Sequence, residues 1–448
     1  MIQPSLHTGD FDQRRRQLLA AMQPGAIAVI PGAREQRRNR DVYYPFRQNS
    51  DFYYLTGFVE PDALLVLIPG RAHGESILFC RERDPVVERQ RGRILGPDQC
   101  CQALGLDDAF PIADVDDILP GMLEGKSQIY LSMGEHRQWD LRVLAYLKTL
   151  SESDPAEKNI TGEVVDLGHL LHEQRLIKTA KEQALMARAA EISVAAHYHA
   201  LGSIDAAHLE ADIETELLYS FRRQGAKYEA YPSIVASGEN ACILHYADND
   251  QPLEQGHLVL VDAGCEYQHY AADVTRTYPV SGRFSAPQRR LYEVVLAANR
   301  AAIAACVPGA PFIRPHEEAT RVLVQGLVDV GVLSGDPEAL IASGGHSRFC
   351  PHNISHWLGL DVHDVGDYRL GEAWRDLSPG MVLTVEPGVY IPRDDTTLDV
   401  PDVFRGLGIR IEDSVLITAQ GCSVLTDDLV KNPDEIEALM ASGQRVVA

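Results

Sequence analysis

Two aspartates eleven residues apart, Asp262 and Asp273, are the residues of this sequence with the clearest potential for chemistry. Asp262 ends an apolar run at residues 258–261, and Asp273 opens a second run rich in β-branched side chains. Both are therefore predicted on one hairpin, near strand ends. If the hairpin folds about its middle, the two carboxylates become cross-strand neighbours about 5 Å apart. Because like charges opposite each other destabilise a sheet, and buried carboxylates need partners, a metal cation is expected between them.

Further residues of ligating type follow the same pattern. Glu386 ends the apolar run in MVLTVEPGVYI, and Glu412 lies inside the β-branched run of GLGIRIEDSVLIT. The stretch FCPHNISHWLGLDVHD carries His352, His356 and His363. Four carboxylates and one histidine can neutralise two divalent cations, which removes most of the cost of burying the charges. The residues therefore predict a metal site with mainly oxygen ligands.

The spacing of His352 and His356 also matches the zinc-binding helix H-E-x-x-H. Asn353, however, stands where that motif requires a glutamate as general base. The residues that follow also lack the apolar spacing of about 3.6 residues that is typical of an amphipathic helix. The zinc-helix interpretation is therefore rejected.

Length and charge limit the classes of function. A chain of 448 residues is too long for one typical core and predicts two domains. The formal net charge of −23 argues against a nucleic-acid partner, which would require a basic surface. The arginines at 14–16 and 37–38 are interpreted as solvated charge. No run of about 18 uncharged apolar residues occurs, so no membrane span is expected. The N-terminus has acidic residues and no continuous apolar h-region, so no signal peptide is expected.

The eight cysteines are scattered, without a CxxC pair. In a chain of this size that pattern predicts reduced, mostly buried thiols and a cytoplasmic protein. Cys265 and Cys350, although near the predicted ligands, are interpreted as small buried hydrophobic residues.

The predicted elements divide the chain near residue 176. Before this point, strands at 26–30, 63–68 and 77–79 and helices at 14–22 and 139–150 predict an α/β layer, with a loop at 151–159. After it, Thr179 and Glu182 have the spacing of a capping box and predict a helix start. The acidic hairpins at 258–278 and 382–417 each follow helical sequence. Helices at 286–306 and 316–331 are predicted between them.

Five segments together resemble the creatinase/methionine-aminopeptidase ("pita-bread") metallopeptidases, most closely their bacterial aminopeptidase P branch, which comprises Xaa-Pro aminopeptidases. They are CILHYADND, LVLVDAGCEYQHYAADVTRTYPVSGRF, SHWLGLDVHDVG, PGMVLTVEPGVYI and GIRIEDSVLIT. YPFRQNSDFYYLTGFVEPDALLVL looks like the N-terminal domain of the same branch, so the resemblance spans nearly the whole chain. It implies an α/β fold: a creatinase-like α/β domain at 1–176, then a pita-bread catalytic domain with pseudo-twofold halves at 177–448.

The resemblance also implies two divalent metal ions, with Mn²⁺ as the family expectation. The implied ligands are Asp262, Asp273, His356, Glu386 and Glu412. Asp273 and Glu412 would bridge the two ions. The sequence itself leaves Co²⁺, Zn²⁺ and Fe²⁺ open. A hydroxide that bridges the ions would attack the carbonyl before a proline, and Glu386 would accept and donate the proton.

Other side chains receive roles from the same resemblance. His363 and His245 would hydrogen bond to the substrate carbonyl and to the intermediate, and His352 would line the proline-side pocket. The residues that would orient the site are Arg410, Asp41 and Tyr390.

Two departures from the family pattern are notable. Asn353 and Ile354 replace the Gly-Leu common in this branch, so a shift in substrate preference is expected. Gln90 stands where tetrameric relatives carry a tryptophan that caps the site of a neighbouring subunit. The N-terminal domain is still expected to serve oligomerisation and capping, in a homo-oligomer that is a dimer or a tetramer.

The predicted activity is hydrolysis of the bond between an N-terminal residue and a following proline in peptides. One alternative is a prolidase, which would act on Xaa-Pro dipeptides with the same ligands. A second is a pita-bread protein that has lost catalysis and serves as a binding module. Retention of all five ligand residues argues against this last alternative.

Overall fold

The computed structural model describes residues 5–152 and 163–442 of the chain. It contains two compact units, the first comprising Leu6–Arg175 and the second beginning at Leu176. The sequence predicts a loop at 151–159, but residues 151 and 152 complete a helix, and the remainder lies outside the described residues. Within the described ranges, no helix is both long and apolar enough to cross a membrane.

Alternating helices and strands build the first unit. In chain order they are α1 (Thr8–Ala21), β1 (Ile27–Pro31), β2 (Arg37–Asn39), β3 (Val42–Tyr43), α2 (Ser50–Thr56), β4 (Leu64–Leu67), β5 (Ser76–Cys80), α3 (Pro85–Arg91), α4 (Pro97–Leu104), β6 (Asp108–Pro111), α5 (Val115–Leu123), β7 (Gln128–Leu131), α6 (Arg137–Glu152), β8 (Glu163–Asp166) and α7 (Gly168–Leu176). Six strands form one sheet in the order β6-β5-β4-β1-β7-β8. β1 lies antiparallel to β4 and parallel to β7. The predicted α/β layer is thus confirmed.

The core of the first unit lies on this sheet. Strands β1, β4 and β5 are buried along their whole length, as expected for strands that are covered on both faces. Val29, Val66 and Phe79 of these strands pack with Leu119 of α5 and Val143 of α6. The apolar runs that predicted the strands are therefore the runs that form the core.

The interpretation of residues 14–16 as solvated charge is wrong for Arg14 and Arg15, which are buried on α1. Arg14 Nη1 donates to the carbonyl of Tyr54 at 3.1 Å, and Arg15 Nη1 donates to that of Leu55 at 2.8 Å. Both carbonyls belong to the last turn of α2, which lacks partners within its own helix. The arginines therefore satisfy the end of α2.

The second unit contains the remaining elements. They are α8 (Ala180–Leu201), α9 (Glu210–Arg223), β9 (Tyr228–Glu229), β10 (Ile234–Ser237), β11 (Leu258–Asp262), β12 (Cys265–Tyr267), β13 (Tyr270–Ala271), β14 (Thr275–Pro279), α10 (Ala286–Ala305), α11 (Arg314–Asp329), α12 (Pro337–Ser343), β15 (Arg369–Leu370), β16 (Ala373–Trp374), β17 (Val382–Val385), β18 (Gly388–Ile391), β19 (Leu407–Arg410), β20 (Asp413–Thr418), β21 (Gly421–Val424) and α13 (Pro433–Ser442). The unit opens on the predicted capping box, in which the Thr179 side chain caps α8 and the Thr179 amide donates to Glu182 Oε2 at 2.8 Å.

Two antiparallel strand pairs carry the predicted acidic ligands. β11 pairs with β14 after helices α8 and α9, and β17 pairs with β20 after helices α10 and α11. Hydrogen bonds join the two pairs. The Glu412 amide donates to the Thr275 carbonyl at 3.0 Å, and Ser414 Oγ donates to the Asp273 carbonyl at 2.7 Å. The aspartate-bearing and glutamate-bearing strands therefore lie directly against each other.

The register of the first hairpin differs from the prediction by two residues. Asp262 lies opposite Thr275, not opposite Asp273. The cause is the turn, which falls on Gln268 and His269, whose φ angles are 48° and 69°. A two-residue shift keeps the same face of the hairpin, because side chains alternate with a period of two. Asp273 therefore still points to the same side as Asp262.

Candidate metal centre

Four carboxylates meet where the two strand pairs join. Asp262 is the last residue of β11, Asp273 precedes β14, Glu386 follows β17, and Glu412 lies in the break between β19 and β20. Asp262, Asp273 and Glu412 are buried, and Glu386 is half-buried. Each of these residues lies at or next to the end of a strand, and all four side chains line one cavity.

His356 completes the cluster. Its Nε2 atom lies 3.5 Å from Asp273 Oδ2 and 3.5 Å from Glu386 Oε1. Possible ligand atoms of Asp273, His356 and Glu412 all lie within 4.8 Å of one another. Asp262 is connected to Asp273 through a hydrogen-bond partner that the two residues share. The structure thus brings together all five residues that the sequence predicts as ligands.

That partner is Tyr231, which the sequence analysis did not identify. Its hydroxyl lies 2.6 Å from Asp262 Oδ1 and 2.5 Å from Asp273 Oδ1. Tyr231 lies in the short connection between β9 and β10, where a single tyrosine has no distinctive spacing. Burial, followed by the charge of Asp262, raises its pKa well above the usual value, so the hydroxyl keeps its proton.

The electrostatics of the cluster favour a cation. Burial and then the charge of Asp262 raise the pKa of Asp273 well above its usual value. Burial and then Asp273 raise the pKa of Glu412 in the same way. For Glu386, burial and then Glu412 raise the pKa to about 8. The protein groups alone therefore leave excess negative charge in a buried space, and carboxylate oxygens with one imidazole are a donor set that suits divalent cations.

The backbone fixes the orientation of His356. Its amide donates to Thr384 Oγ1 at 3.1 Å, and its ring Nδ1 lies 2.9 Å from the Trp357 carbonyl. Since a carbonyl oxygen only accepts, Nδ1 carries the hydrogen. The lone pair of Nε2 is thereby directed to the carboxylates, as in metal-binding histidines.

Arg410 is the buried cation beside the cluster. Its Nη2 donates to Asp262 Oδ2 at 2.7 Å, and its Nη1 donates to the hydroxyl of Tyr390 at 2.9 Å. Thr275 Oγ1 accepts from Arg410 Nε at 3.3 Å and donates to Glu412 Oε2 at 2.7 Å. These contacts hold Asp262 and Glu412 in place. Asp41, which the resemblance grouped with Arg410, lies on an exposed turn of the first unit, and its role stays a prediction.

Three further histidines line the same cavity, which has a volume of about 700 Å³. His352 Nε2 lies 2.9 Å from the Tyr390 hydroxyl, and burial lowers the pKa of His352 to about 4. His363 and His245 are exposed to the cavity. The structure therefore brings together every side chain that the sequence assigned to the site within the second unit.

An aromatic wall, defined here as Phe312, Tyr368 and Trp374, faces the cavity beside these histidines. The ring centroid of Phe312 lies 4.6 Å from that of Tyr368 and 6.3 Å from that of Trp374. The sequence gives no sign of this wall because its members come from three separated segments. An apolar wall next to a charged cluster can bind an apolar group of a substrate.

The segment 352–356 is not a helix. The Glu386 amide donates to the Ile354 carbonyl at 2.8 Å, and the Thr384 amide donates to the His356 carbonyl at 3.0 Å, so the segment runs in extended form beside β17. The rejection of a zinc helix is thus confirmed. Asn353 and Ile354 both line the cavity.

The cysteines play no evident part in the cluster. All eight are free thiols, four buried and four half-buried. Burial raises the pKa of both Cys265 and Cys350 to about 12. Neither is among the described residues that line the cavity.

An α/β fold with a buried carboxylate–histidine cluster at the floor of a cavity defines a metal-dependent hydrolase, and comparison with known proteins identifies the family. Metallopeptidase family M24 matches residues 184–419, and the aminopeptidase P N-terminal domain matches residues 11–130. The chain belongs to metallopeptidase family M24.

Individual relatives match this chain over nearly its whole length. The Xaa-Pro aminopeptidase of Escherichia coli is 44% identical over 437 residues, which cover 97% of this chain and 98% of the relative. Xaa-Pro aminopeptidase 3 of Homo sapiens is 34% identical and covers 98% of this chain and 87% of its own length. The structure of the Pseudomonas aeruginosa aminopeptidase PepP superposes with a TM-score of 0.96 at 49% identity, with 99% of each chain covered.

Proposed function

We propose that this chain is a Xaa-Pro aminopeptidase, which hydrolyses the bond between an N-terminal residue and a proline at the second position of peptides. The observation that carries the proposal is the cluster of Asp262, Asp273, His356, Glu386 and Glu412 on the floor of a cavity that also has an aromatic wall. The relatives named Xaa-Pro aminopeptidase match both units of the chain, which supports the same activity.

Two divalent cations, proposed to be Mn²⁺, fit the five ligand residues. Four carboxylates balance the charge of two such ions, and the oxygen-rich set favours a harder metal than a thiolate site would. Asp273 and Glu412, whose possible ligand atoms lie within 4.8 Å of those of His356, would help to hold the ions. When bound, the ions supply an activated water and polarise the scissile carbonyl.

Glu386 is proposed to move the proton. Its carboxylate is half-buried at the cavity floor, and its pKa of about 8 in the protein without metal shows how strongly the surroundings favour protonation. From this position it can accept a proton from the attacking water and deliver it to the proline nitrogen, which leaves as a secondary amine.

The remaining polar groups bind and orient the substrate. Asp262, together with the metal ion that it would hold, is proposed to anchor the free α-amine. His363 and His245 face the cavity and would donate hydrogen bonds to the carbonyl oxygen as it gains charge. His352 and the aromatic wall would enclose the proline ring. Arg410 would act through Asp262, which it holds at 2.7 Å.

The first unit and the assembly are a separate part of the proposal. Residues 1–176 are proposed to form the domain that supports oligomerisation and site capping, and residues 177–448 the catalytic domain. Val42, Tyr44, Leu141 and Leu144 of the first unit are large apolar side chains that are each about half exposed or more. Their burial in a dimer or tetramer would remove apolar surface from water. Gln90 on α3 is exposed and offers no aromatic ring for capping a neighbouring site.

The location is proposed to be the cytoplasm, since eight free thiols fit a reducing compartment.

A peptide panel with and without added Mn²⁺ tests the activity. Tripeptides of the form Xaa-Pro-Xaa should lose their first residue, and peptides with alanine at the second position should not. Turnover of Xaa-Pro dipeptides alone would indicate a prolidase, and absence of turnover with full metal content would indicate a binding module. Metal analysis after purification tests whether two ions are bound per chain.

A further inference from the structure

A buried ion pair lies behind the loop that carries His363. Lys178 Nζ lies 2.9 Å from Asp364 Oδ2, and each side chain is only 1% exposed. Lys178 directly precedes the Thr179 cap of α8, whereas Asp364 directly follows His363. Removing two charges from water costs several kcal/mol per ion, so a pair of this kind gives little net stability. Its position points instead to an effect on the loop.

The carboxylate of Asp364 closes the loop 357–364. The Asp364 amide donates to the Trp357 carbonyl at 2.9 Å, and the Asp361 amide donates to Asp364 Oδ1 at 3.4 Å. A Cβ atom added at Gly359 would lie 2.1 Å from Asp364 Oδ2 and 3.0 Å from the Lys178 Cε atom. Only glycine therefore fits there, and the loop packs tightly around the ion pair.

The lysine is itself fixed by its backbone. The Lys178 amide donates to the Gly380 carbonyl at 2.9 Å, and the Lys178 carbonyl accepts from Gln183 Nε2 at 2.8 Å. Gly380 lies two residues before β17, the strand that ends next to Glu386. The ammonium group therefore connects the His363 loop to the strand that positions a proposed metal ligand.

The His363 ring has few contacts that could fix its orientation. Its ring packs at 4.4 Å, centroid to centroid, against that of His356. Among the described residues, none makes a hydrogen bond to the His363 ring, whereas both ring nitrogens of His352 have partners. The position of the ring therefore depends mainly on the position of the backbone at residue 363. Asp364, the next residue, is held by the ion pair with Lys178.

We propose that Lys178 and Asp364 are a pair of positioning residues that hold His363 in the geometry needed for transition-state stabilisation. This inference rests on the proposed function, in which His363 donates to the developing oxyanion. A preorganised donor is effective because no reorganisation is needed at the moment of reaction. Loosening the pair should therefore lower kcat and leave KM and metal content almost unchanged.

The test uses a neutral pair of similar shape, Lys178→Met with Asp364→Asn, because a single change would leave an unpaired buried charge. In the otherwise native enzyme, kcat should fall by about 10- to 100-fold, less than the roughly 10²–10³-fold loss of a complete donor. In the His363→Ala background, the same two changes should cost less than about twofold more, since residues that act through one another are not additive. Hydrogen exchange of amides in residues 357–364 should rise without metal loss.

The matched control is the buried pair of Arg175 and Asp51 in the first unit, in which Arg175 Nη1 lies 2.6 Å from Asp51 Oδ1. Arg175→Met with Asp51→Asn should lower Tm and leave kcat unchanged. If the Lys178/Asp364 double variant does not fold, Lys178→Arg, which keeps the charge but moves it, should show a smaller kcat loss at constant KM.

Three results would overturn the inference in different ways. Full kcat in the double variant, next to a large loss in His363→Ala, would remove the positioning role and leave the proposed function intact. An equal loss in both backgrounds would show that the pair acts on the fold in general. Full activity of His363→Ala would overturn the role of His363 itself, and the positioning role with it.

Discussion

The imidazole rings of His356 and His363 lie 4.4 Å apart, centroid to centroid, with their planes inclined at 79°. The backbone directs His356 Nε2 to the carboxylates, whereas the His363 ring is exposed to the cavity. Burial, followed by the proximity of His356, lowers the pKa of His363. A neutral His363 retains one N–H group, which suits a donor to substrate more than a metal ligand.

Replacement of His363 by alanine should therefore reduce kcat and leave metal binding intact. Loss of one preorganised oxyanion donor costs about 10²–10³-fold in kcat, roughly 3–4 kcal/mol. KM should stay within about threefold. Steady-state kinetics together with metal analysis of the same preparation measure both effects. Loss of metal would identify His363 as a ligand, and a change in KM alone would identify it as a substrate anchor.

Replacement of Asp273 by alanine should lower metal occupancy and abolish turnover. Asp273 contributes to the group of ligand atoms that lie within 4.8 Å of one another, so its loss removes a carboxylate from the centre of the cluster. Glu254→Ala, at an exposed acidic residue upstream of β11, is the matched control and should keep both metal and activity. Metal content per chain and kcat are the measurements. Full occupancy and activity in the Asp273 variant would exclude the proposed ligand set.

A free α-amine should be required for cleavage. Asp262 lines the cavity and is held by Arg410 and Tyr231, so Asp262 and the ion that it would hold are in place to bind a free amine. N-acetylation of a good Xaa-Pro substrate should lower kcat/KM by at least about two orders of magnitude, or roughly 3 kcal/mol. The comparison uses one peptide with and without the acetyl group. Similar cleavage of both at the same bond would contradict the anchoring role.

The stability of the metal-free protein should fall as the pH rises. The pKa of Glu386 in the folded chain is raised to about 8, above its value in the unfolded chain. Between an unfolded pKa of about 4.3 and the folded value, the native state therefore binds more protons, and folding stability decreases with pH. Each such group contributes up to about 1.4 kcal/mol per pH unit.

Thermal unfolding of the chelator-treated protein at pH 5 to 8 measures this dependence. Tm should decline across the range, and Glu386→Gln should reduce the slope. Added Mn²⁺ should raise Tm most at the alkaline end, because the cation then replaces the missing protons. A Tm that is constant with pH in the metal-free protein would contradict the electrostatic account of the cluster.

The sequence predicted that the five side chains would lie together because they end or interrupt apolar strands. Such runs fold predictably, so Asp262 and Glu386 could be placed at strand ends from pattern alone. The pairing register of β11 and β14 was harder to predict than the strands themselves. A hairpin turn that shifts by one residue shifts the pairing by two, and the αL conformations of Gln268 and His269 are not marked by glycine. The prediction that Asp262 and Asp273 point to the same face of the hairpin was nonetheless correct, because a shift of two residues preserves the alternation of side chains.

Tyr231 and the aromatic wall could not be predicted in this way. Phe312, Tyr368 and Trp374 belong to three segments that meet only in the folded chain. Arg14 and Arg15 illustrate the same limit, because a run of three arginines gives no sign that two of them reach the carbonyls of a neighbouring helix. The spacing of apolar residues within a segment indicates whether that segment is a helix or a strand. It does not indicate which distant segment packs against it.

The Tyr231 hydroxyl lies within 2.6 Å of two carboxylates, although it has a single hydrogen to give. It can therefore donate to only one of Asp262 and Asp273 at a time, and the other carboxylate faces the hydroxyl without that hydrogen. Because burial raises the pKa values of Asp273 and Glu412, divalent cations held by these residues would displace protons, and metal binding should weaken as the pH falls.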